Sequence, residues 1–304
     1  MRILILGAAA GGGFPQWNAN NANCRQARAG DRAFPAQTQS SIAISVDGRR
    51  WCLCNASPDL RQQIGANPQL QPDSAGPLRA TPILSVVLTN ADVDHIAGLL
   101  HMRESQAFQL YATRRVLETL AANSVFNVLN PQFVTRQPIA LETPFEPLPG
   151  VRVTAFAVTG KVALYLEDPS RKNFGTVTDD TIGLEIRDLS GGGRFFYIPG
   201  CAEVNPPLAA RLRNAPLVLF DGTLYTDDEM IASGEGVKSG ARMGHISMSG
   251  PRGSIAAFAE LGVTRRMFIH LNNTNPVLNV EGAERAALQK AGWEIAMDGM
   301  EIVL

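Results

Sequence analysis

The stretch Thr89–His95, which reads TNADVDH, directly follows the apolar run Leu84–Leu88. A short apolar run bounded by polar residues predicts a buried β-strand. Residues just after such a strand lie at its carboxyl end, where sheets covered by helices commonly bind ligands. We therefore interpret Asp94 and His95 as candidate metal ligands. For Asp92 three interpretations are open: a further ligand, a group that positions a ligand, or a solvated charge in the loop.

A second strand end carries a matching group. His270 follows the apolar run Met267–Ile269, and it is one of only 4 histidines in the chain. Together with Asp94 and His95 it completes a two-histidine, one-carboxylate set, the arrangement that suits non-haem Fe(II). The alternative is structural: Asp94 caps the helix that follows, and His270 is a satisfied strand-end histidine. Spacing leaves both interpretations open.

Two further groups are candidates for proton transfer beside Asp92. Asp221 ends the apolar run Leu217–Phe220, so it completes the metal site or accepts a hydrogen bond from a ligand histidine. His245 lies in a loop and is a general acid or base, a ligand, or a structural histidine. His101 comes six residues after His95 on another helix face, and we interpret it as structural.

Candidate substrate-binding residues lie in two loops. The glycine-rich segment 7–18 lacks the helix start that a dinucleotide site needs, so we interpret it as a loop that approaches the site. Its aromatic side chains could stack on a substrate ring. The loop after His270 adds amides and a hydroxyl, although such residues are also common in turns. The candidates are Phe14, Gln16, Trp17, Asn272, Asn273 and Thr274.

The composition excludes several classes of protein. The chain has 304 residues, 45% hydrophobic and 18% charged, with a net charge of −1. It has no block of basic or acidic residues, so neither nucleic acid nor an anionic membrane is expected as a partner. The amino terminus has no signal-peptide pattern, and no apolar run has the length of a membrane span. We expect a cytoplasmic protein.

The order of elements predicts an α+β fold. Strands come in runs and then alternate with helices in each half of the chain, which fits two mixed β-sheets flanked by helices in one domain, residues 1–304. Thr113 is expected to cap a helix, and another helix is expected over Ser254–Leu261. The predicted strands are Arg2–Leu6, Ser41–Val46, Trp51–Cys54, Leu84–Leu88, Val151–Val158, Thr181–Ile186, Arg194–Ile198, Leu217–Phe220, Met267–Ile269, Glu294–Ala296 and Glu301–Leu304.

The metal motif resembles that of the metallo-β-lactamase superfamily, which has a four-layer αββα sandwich and a His-x-His-x-Asp-His motif. Asp94 and His95 match the end of the motif, whereas Asn90 and Asp92 replace its first two histidines. The next motif histidine is replaced within residues 159–161. The resemblance therefore implies one metal ion, bound by Asp94, His95 and His270, rather than a pair of zinc ions.

Within that superfamily the chain resembles the coenzyme PQQ synthesis protein B family along its whole length. The family makes pyrroloquinoline quinone (PQQ), a redox cofactor derived from Glu and Tyr of a precursor peptide. The matching segments are Gly7–Asn18, Cys54–Leu60, Asp94-His95, Pro199-Gly200, Asp221–Tyr225, Asp227–Met230, Met243–His245, His270–Pro276 and Asp298–Met300.

The resemblance implies an Fe(II)- and O₂-dependent hydroxylase that acts on the tyrosine ring of the Glu–Tyr cross-linked precursor. Zn or Mn are alternative metals. The alternative functions are a carrier that helps PQQ or its precursor reach the periplasm, and a mononuclear metallo-hydrolase. The resemblance leaves two questions open: whether the chain contacts other PQQ biosynthesis proteins, and whether it forms a homodimer.

One segment departs from the family pattern. The family has a Cys-x-Cys-x-x-Cys cluster that indicates a structural zinc site, and here its positions are Ala19, Asn21 and Cys24. A single thiolate does not supply the ligands of a structural zinc ion. We expect no structural zinc, and a loop over residues 18–30 that is held by other contacts or is mobile.

Overall fold

Two seven-stranded β-sheets pack face to face in the computed structural model, which describes residues 1–304. Helices cover both outer faces, so the predicted αββα sandwich is confirmed. The strands are β1 (Arg2–Gly7), β2 (Ser41–Ser45), β3 (Trp51–Cys54), β4 (Ile83–Val87), β5 (Phe108–Thr113), β6 (Val134–Ile139), β7 (Pro144–Leu148), β8 (Val151–Ala157), β9 (Ile182–Asp188), β10 (Arg194–Ile198), β11 (Leu217–Asp221), β12 (Arg265–Ile269), β13 (Trp293–Ile295) and β14 (Glu301–Val303).

Both sheets are mixed. The first has the order β14-β1-β2-β3-β4-β5-β6, with parallel pairing from β3 to β6. The second has the order β13-β12-β11-β10-β9-β8-β7, with parallel pairing from β10 to β13. Each half thus contributes neighbouring parallel strands, and the segments that leave their carboxyl ends build one edge of the sandwich.

The helices are short. The α-helices are α1 (Ala22–Arg28), α2 (Leu60–Ala66), α3 (Val93–Ile96), α4 (Arg114–Ala122), α5 (Pro206–Leu212), α6 (Glu229–Ala232), α7 (Gly240–Met243), α8 (Ser254–Ala257) and α9 (Ala283–Lys290). The 3₁₀ helices are Pro68–Leu70, Ala97–Met102, Ser124–Val128, Leu164–Leu166, Lys172–Gly175 and Pro276–Leu278. No helix combines the length and the hydropathy of a membrane span.

Three apolar layers hold the sandwich together. In β1, Ile3 and Ile5 point between the sheets, whereas Leu4 and Leu6 point outward against the helices of the first sheet. A third cluster, which contains Trp293, lies outside the second sheet. Because both faces of each sheet are covered, strands such as β1 are continuous apolar runs rather than alternating ones.

The strands that sequence patterns missed include one edge strand of each sheet. β6 and β7 are edge strands, and they carry Pro138, Pro144 and Pro147. Proline and polar residues are tolerated at edges because the outer side needs no hydrogen-bond donor, which removes the apolar signal. The predicted cap is confirmed, since the Thr113 hydroxyl accepts from the Val116 N–H. The helix predicted over Ser254–Leu261 ends at Ala257.

Candidate metal centre

The loop after β4 is held by side-chain and backbone hydrogen bonds. The Asn55 amide pairs with Thr89 in both directions, with Nδ2 to Oγ1 and Thr89 N to Oδ1 both at 2.9 Å. Asn55 has a φ of 66°, a conformation that asparagine tolerates better than most residues. The next N–H, from Ala56, donates to the carbonyl of His95 at 2.8 Å. These contacts fix the backbone of His95 before any ligand binds.

Asp94, His95 and His270 lie together at the edge of the sandwich. One ligand atom from each lies within 4.8 Å of those of the other two. His270 Nε2 is 3.0 Å from Asp94 Oδ2, and His95 Nε2 is 3.8 Å from the same oxygen. Helix α3 begins at Val93, and its N-terminus has no side-chain cap. Asp94 therefore does not cap the helix, contrary to the structural interpretation.

His95 presents an unused lone pair to this cluster. Its Nδ1 lies 2.7 Å from Asn90 Oδ1, an acceptor, so Nδ1 carries the proton and Nε2 does not. Nε2 is buried and has no hydrogen-bond partner. Burial also lowers the pKa of His95 to about 4, which keeps the ring neutral. An unpartnered, unprotonated nitrogen beside a carboxylate fits a metal ligand.

His270 is held in a strained conformation. Its φ is 68°, which is uncommon for a residue with a side chain and recurs at functional sites. Its Nδ1 lies 2.8 Å from Thr223 Oγ1, and that hydroxyl lies 2.6 Å from Asp221 Oδ1. The hydroxyl donates to the carboxylate and accepts from the imidazole, so Nε2 of His270 is left to face Asp94.

Asp221 lies behind the histidines and does not reach the surface of the site. It is fully buried, and it accepts hydrogen bonds from the Cys201 N–H at 2.8 Å and from His245 Nδ1 at 2.7 Å. Burial opposes ionisation, but His245, His270 and Thr223 outweigh it and hold the pKa of Asp221 below its ordinary value. This arrangement fits the predicted alternative in which Asp221 orients histidines, because it bonds to His245 directly and to His270 through Thr223. Asp221, His245 and His270 are also close enough together to hold a metal ion, so the other alternative stays a prediction.

His245 and Asp92 are titratable groups beside the ligand cluster, and the pKa values of both are shifted. The rings of His245 and His270 stack with centroids 5.3 Å apart. Burial lowers the pKa of His245, but Asp221 outweighs that effect and raises the pKa above its ordinary value. Burial and the nearby Asp94 raise the pKa of Asp92 to about 6. Its Oδ1 accepts from the Leu164 N–H at 3.3 Å.

Replacing Thr223 with valine is expected to weaken metal binding about 10- to 100-fold, the usual cost of losing a group that orients a ligand histidine. Valine keeps the size of the side chain but breaks the link between His270 and Asp221. The measurement is titration of the metal-free protein with Zn²⁺ against a chelator of known affinity. Thr223→Ser is the matched control, because it keeps the hydroxyl and should bind like the original protein.

The glycine-rich loop covers the carboxylate but does not present Phe14. Gly11 packs on Asp94, since a Cβ at this position would lie 3.6 Å from its Cγ. Phe14 is only 2% exposed and belongs to the core outside the second sheet, so its predicted stacking on a substrate is wrong. Trp17 is 86% exposed and is free to contact a ligand. Gln16 accepts a hydrogen bond from Asn273 and lines a cavity beside it, so its predicted contact with substrate stays a prediction.

The amides after His270 make hydrogen bonds that hold the structure together. Asn272 and Asn273 also line a cavity, so their predicted role in substrate binding stays a prediction. The side-chain amide of Asn273 accepts a hydrogen bond from Asn21 and donates one to Gln16. Asn272 donates to Thr274 at 2.6 Å, and Thr274 donates to Glu229. With their polar atoms occupied, these side chains tie the amino-terminal loop to the strand end that carries His270.

The segment that lacks the family cysteines contains helix α1, where a loop was expected. Asn21 caps this helix by accepting from the Cys24 N–H at 2.8 Å, and Cys24 is buried. Asn23 donates to the carbonyls of Asn273 and Asn275, both at 3.2 Å. Hydrogen bonds from asparagine side chains thus hold this segment, which agrees with the expectation that other contacts replace the zinc site. The absence of a structural zinc stays a prediction.

Glu229 makes stability depend on pH. Burial raises the pKa of its carboxyl from 4.5 to about 7, although hydrogen bonds from Thr274 and Tyr225 oppose the shift. Because the folded protein holds this proton more tightly than the unfolded chain does, protonation stabilises the fold. This stabilisation is complete below pH 4.5 and is lost as the pH rises towards 7. We expect a loss of up to ~3 kcal/mol over that interval. Urea unfolding of the original chain and of Glu229→Gln from pH 4.5 to 8 isolates this contribution as the difference between the two profiles, because Asp92 and Asp298 also have raised pKa values and contribute equally to both.

Comparison with known proteins identifies the family. A model of the β-lactamase superfamily domain matches residues 50–271. Coenzyme PQQ synthesis protein B of Methylorubrum extorquens (strain PA1) is 53% identical, and that of Xanthomonas axonopodis pv. citri is 52% identical; both alignments cover 100% of both chains. The chain belongs to the coenzyme PQQ synthesis protein B family. This confirms the family resemblance of the sequence motifs.

Solved structures agree with this family. The crystal structure of Zn²⁺-bound PqqB from Methylobacterium extorquens superposes with a TM-score of 0.96 at 52% identity, covering 100% of both chains. That relative was solved with Zn²⁺ bound. A diphosphatase of the PhnP family has a TM-score of 0.70 at 17% identity over 99% of this chain and 97% of its own, which shows the shared fold alone.

Sequence reasoning missed two residues of the centre. Thr223 links His245 and His270 to Asp221, and Asn90 orients His95. Asn90 had been interpreted only as a lost motif histidine. A signal for Thr223 exists in hindsight, because a hydroxyl two residues after a strand-end carboxylate is placed to bond with it.

Proposed function

We propose that this chain acts in PQQ biosynthesis as a metal-dependent hydroxylase of the tyrosine ring in the Glu–Tyr cross-linked precursor. The family relationship supports the pathway. The observation that carries the chemistry is the cluster of Asp94, His95 and His270, in which His95 Nε2 is buried and unpartnered. These three residues would hold a metal ion as a two-histidine, one-carboxylate set, the donor set of non-haem Fe(II) oxygenases.

The donor set fits Fe(II), and also Zn or Mn, because one carboxylate oxygen and two imidazole nitrogens suit all three. When bound, Fe(II) would supply the redox chemistry for the insertion of one oxygen atom from O₂ into a ring C–H bond. The other oxygen atom leaves as water, which requires two electrons from a reductant. Asp94, His95 and His270 would hold the ion.

The remaining residues orient the ligands and handle protons. Burial and neighbouring His95 and His270 act in opposite directions on Asp94, and the histidines hold its pKa below the ordinary value. Asp94 is therefore an anionic ligand at neutral pH. Asp92, with a pKa near 6, can accept a phenolic proton at a carboxylate oxygen and release it near neutral pH. His245 holds a proton on Nδ1 for Asp221.

The test is oxygen uptake by the purified protein. Protein prepared without O₂ is loaded with Fe(II), and the cross-linked Glu–Tyr diamino acid and ascorbate are added. We expect O₂ uptake that depends on iron, and a product heavier by oxygen. Zn-loaded protein is the matched control and should take up none.

Two other results would overturn the hydroxylase. Turnover without O₂ would indicate the mononuclear hydrolase. Tight binding of PQQ or its precursor with no turnover under any metal would indicate the carrier.

A further inference from the structure

Three cationic side chains converge on a single carboxylate outside the metal ligands. The Glu167 carboxylate pairs with Lys161 Nζ, with Arg242 Nη2 at 3.0 Å and with Lys238 Nζ at 3.7 Å. Arg242 makes a second contact through Nη1 at 3.4 Å. Glu167 is the one carboxylate that forms an ion pair with any of the three, although Asp92 also lies near enough to Lys161 to interact with its charge.

This group, which we call the cation cluster (Lys161, Lys238 and Arg242), lies beside the metal centre. The Lys161 side chain runs against Gly244, where a Cβ would be 3.0 Å from its Cγ, and Gly244 directly precedes His245. The chain after Lys161 also crosses the metal-binding loop, since the Leu164 N–H donates to Asp92. A ligand held at the cluster would therefore reach the histidines and Asp92.

The cations are ordered yet accessible. The Arg242 guanidinium lies 3.7 Å from the centre of the Phe174 ring, a contact that fixes its plane. The side chains of Lys161, Arg242 and Lys238 are between 19 and 36% exposed. Each retains hydrogen-bond donors that Glu167 does not use, because a guanidinium has five N–H groups and an ammonium three.

Neutralising Glu167 does not account for the cluster. One cation would be sufficient for one carboxylate, and each further cation adds repulsion at short range. The chain as a whole has no excess of cations, with 27 Lys and Arg against 28 Asp and Glu. The three cations therefore have more hydrogen-bond donors and charge than Glu167 uses, which leaves capacity to bind an incoming anion.

We propose that Lys161, Lys238 and Arg242 form a carboxylate-binding subsite that anchors an acidic group of the substrate beside the metal. The identity of that substrate rests on the proposed function, whereas the subsite itself requires only an aromatic ligand with a carboxylate. The chemistry is charge-assisted and bidentate hydrogen bonding, for which arginine and a carboxylate are well matched. These residues position the ring and take no part in the oxidation.

Binding to Zn-loaded protein tests the subsite without turnover. The probes are 3-(4-hydroxyphenyl)propanoate, its neutral amide and the cross-linked diamino acid, each measured by calorimetry. We expect the acid to bind at least ~10-fold more tightly than the amide, as expected for hydrogen bonds to a charged group. Lys161→Gln and Arg242→Gln should lose this preference, and Lys161→Arg should keep it.

Lys172→Gln is the matched control, since Lys172 is exposed on the same segment and has no ion pair; it should keep the full preference. Lys238→Gln, at the exposed rim, provides a second test should a more buried variant fail to fold. Equal binding of acid and amide by the original protein, including no binding of either, would overturn the subsite, as would variants that keep the preference. Charge-dependent binding without iron-dependent O₂ uptake would overturn the hydroxylase alone.

Discussion

His95→Ala is expected to weaken metal binding at the centre by more than about 100-fold, since losing a group that merely orients a ligand already costs 10- to 100-fold. The change removes the buried Nε2 that faces Asp94 and has no other partner. Titration with Zn²⁺ in the presence of a competing chelator measures the loss, and the same variant should show no iron-dependent O₂ uptake.

The control for this experiment is His101→Ala. His101 is exposed on the 3₁₀ helix Ala97–Met102, so its loss should leave metal affinity unchanged. His270→Ala serves as the second ligand variant, and circular dichroism checks that each variant is folded. If folded His95→Ala and His270→Ala both bound metal as tightly as the original chain, the ligand assignment would be wrong.

Gly98→Ala is expected to lower the free energy of unfolding by about 3 kcal/mol, at the upper end of the cost of overpacking. A Cβ at this position would lie 2.1 Å from the carbonyl oxygen of Ser57, a backbone atom that has no rotamer to change. The Gly98 N–H also donates to the Ala56 carbonyl at 2.9 Å, next to the contact that holds His95. Urea unfolding of the metal-free protein measures the change.

Gly65→Ala provides the matched comparison. Gly65 lies in α2, and a Cβ there would meet no atom within 4 Å. Replacing a helical glycine with alanine in open space should raise stability by roughly 0.5–1 kcal/mol. The two substitutions are chemically identical, so opposite signs isolate the close approach at Gly98. Similar effects at both positions would show that the close contact with Ser57 is absent.

Local patterns in the sequence were enough to predict two mixed sheets flanked by helices and the strand ends that carry the candidate ligands, whereas the αββα sandwich followed from the family resemblance. β3 and β10 have the predicted bounds, and β4 and β12 differ by one or two residues, because strands buried on both faces give continuous apolar runs. The family motifs then pointed to Asp94, His95 and His270. Prolines removed the signal from edge strands β6 and β7.

Side-chain roles that depend on distant segments could not be predicted this way. Phe14 follows a glycine-rich loop and looked accessible, yet it packs in the core. Asn273 was predicted as a substrate contact, and no local pattern indicated that Asn21, far along the chain, occupies its amide oxygen. A loop pattern indicates polarity and turn geometry, whereas burial depends on what packs against the loop.

The sequence by itself determined the strand order along the chain, the polar groups at the strand ends and the family. Tertiary structure alone decided which groups meet. Asp94 and His270 are 176 residues apart yet lie 3.0 Å from each other, and Thr223 joins His270 to Asp221. The physical reason is that hydrogen bonds and ion pairs act over a few ångströms, so their partners are set by the packing of the two sheets rather than by spacing along the chain.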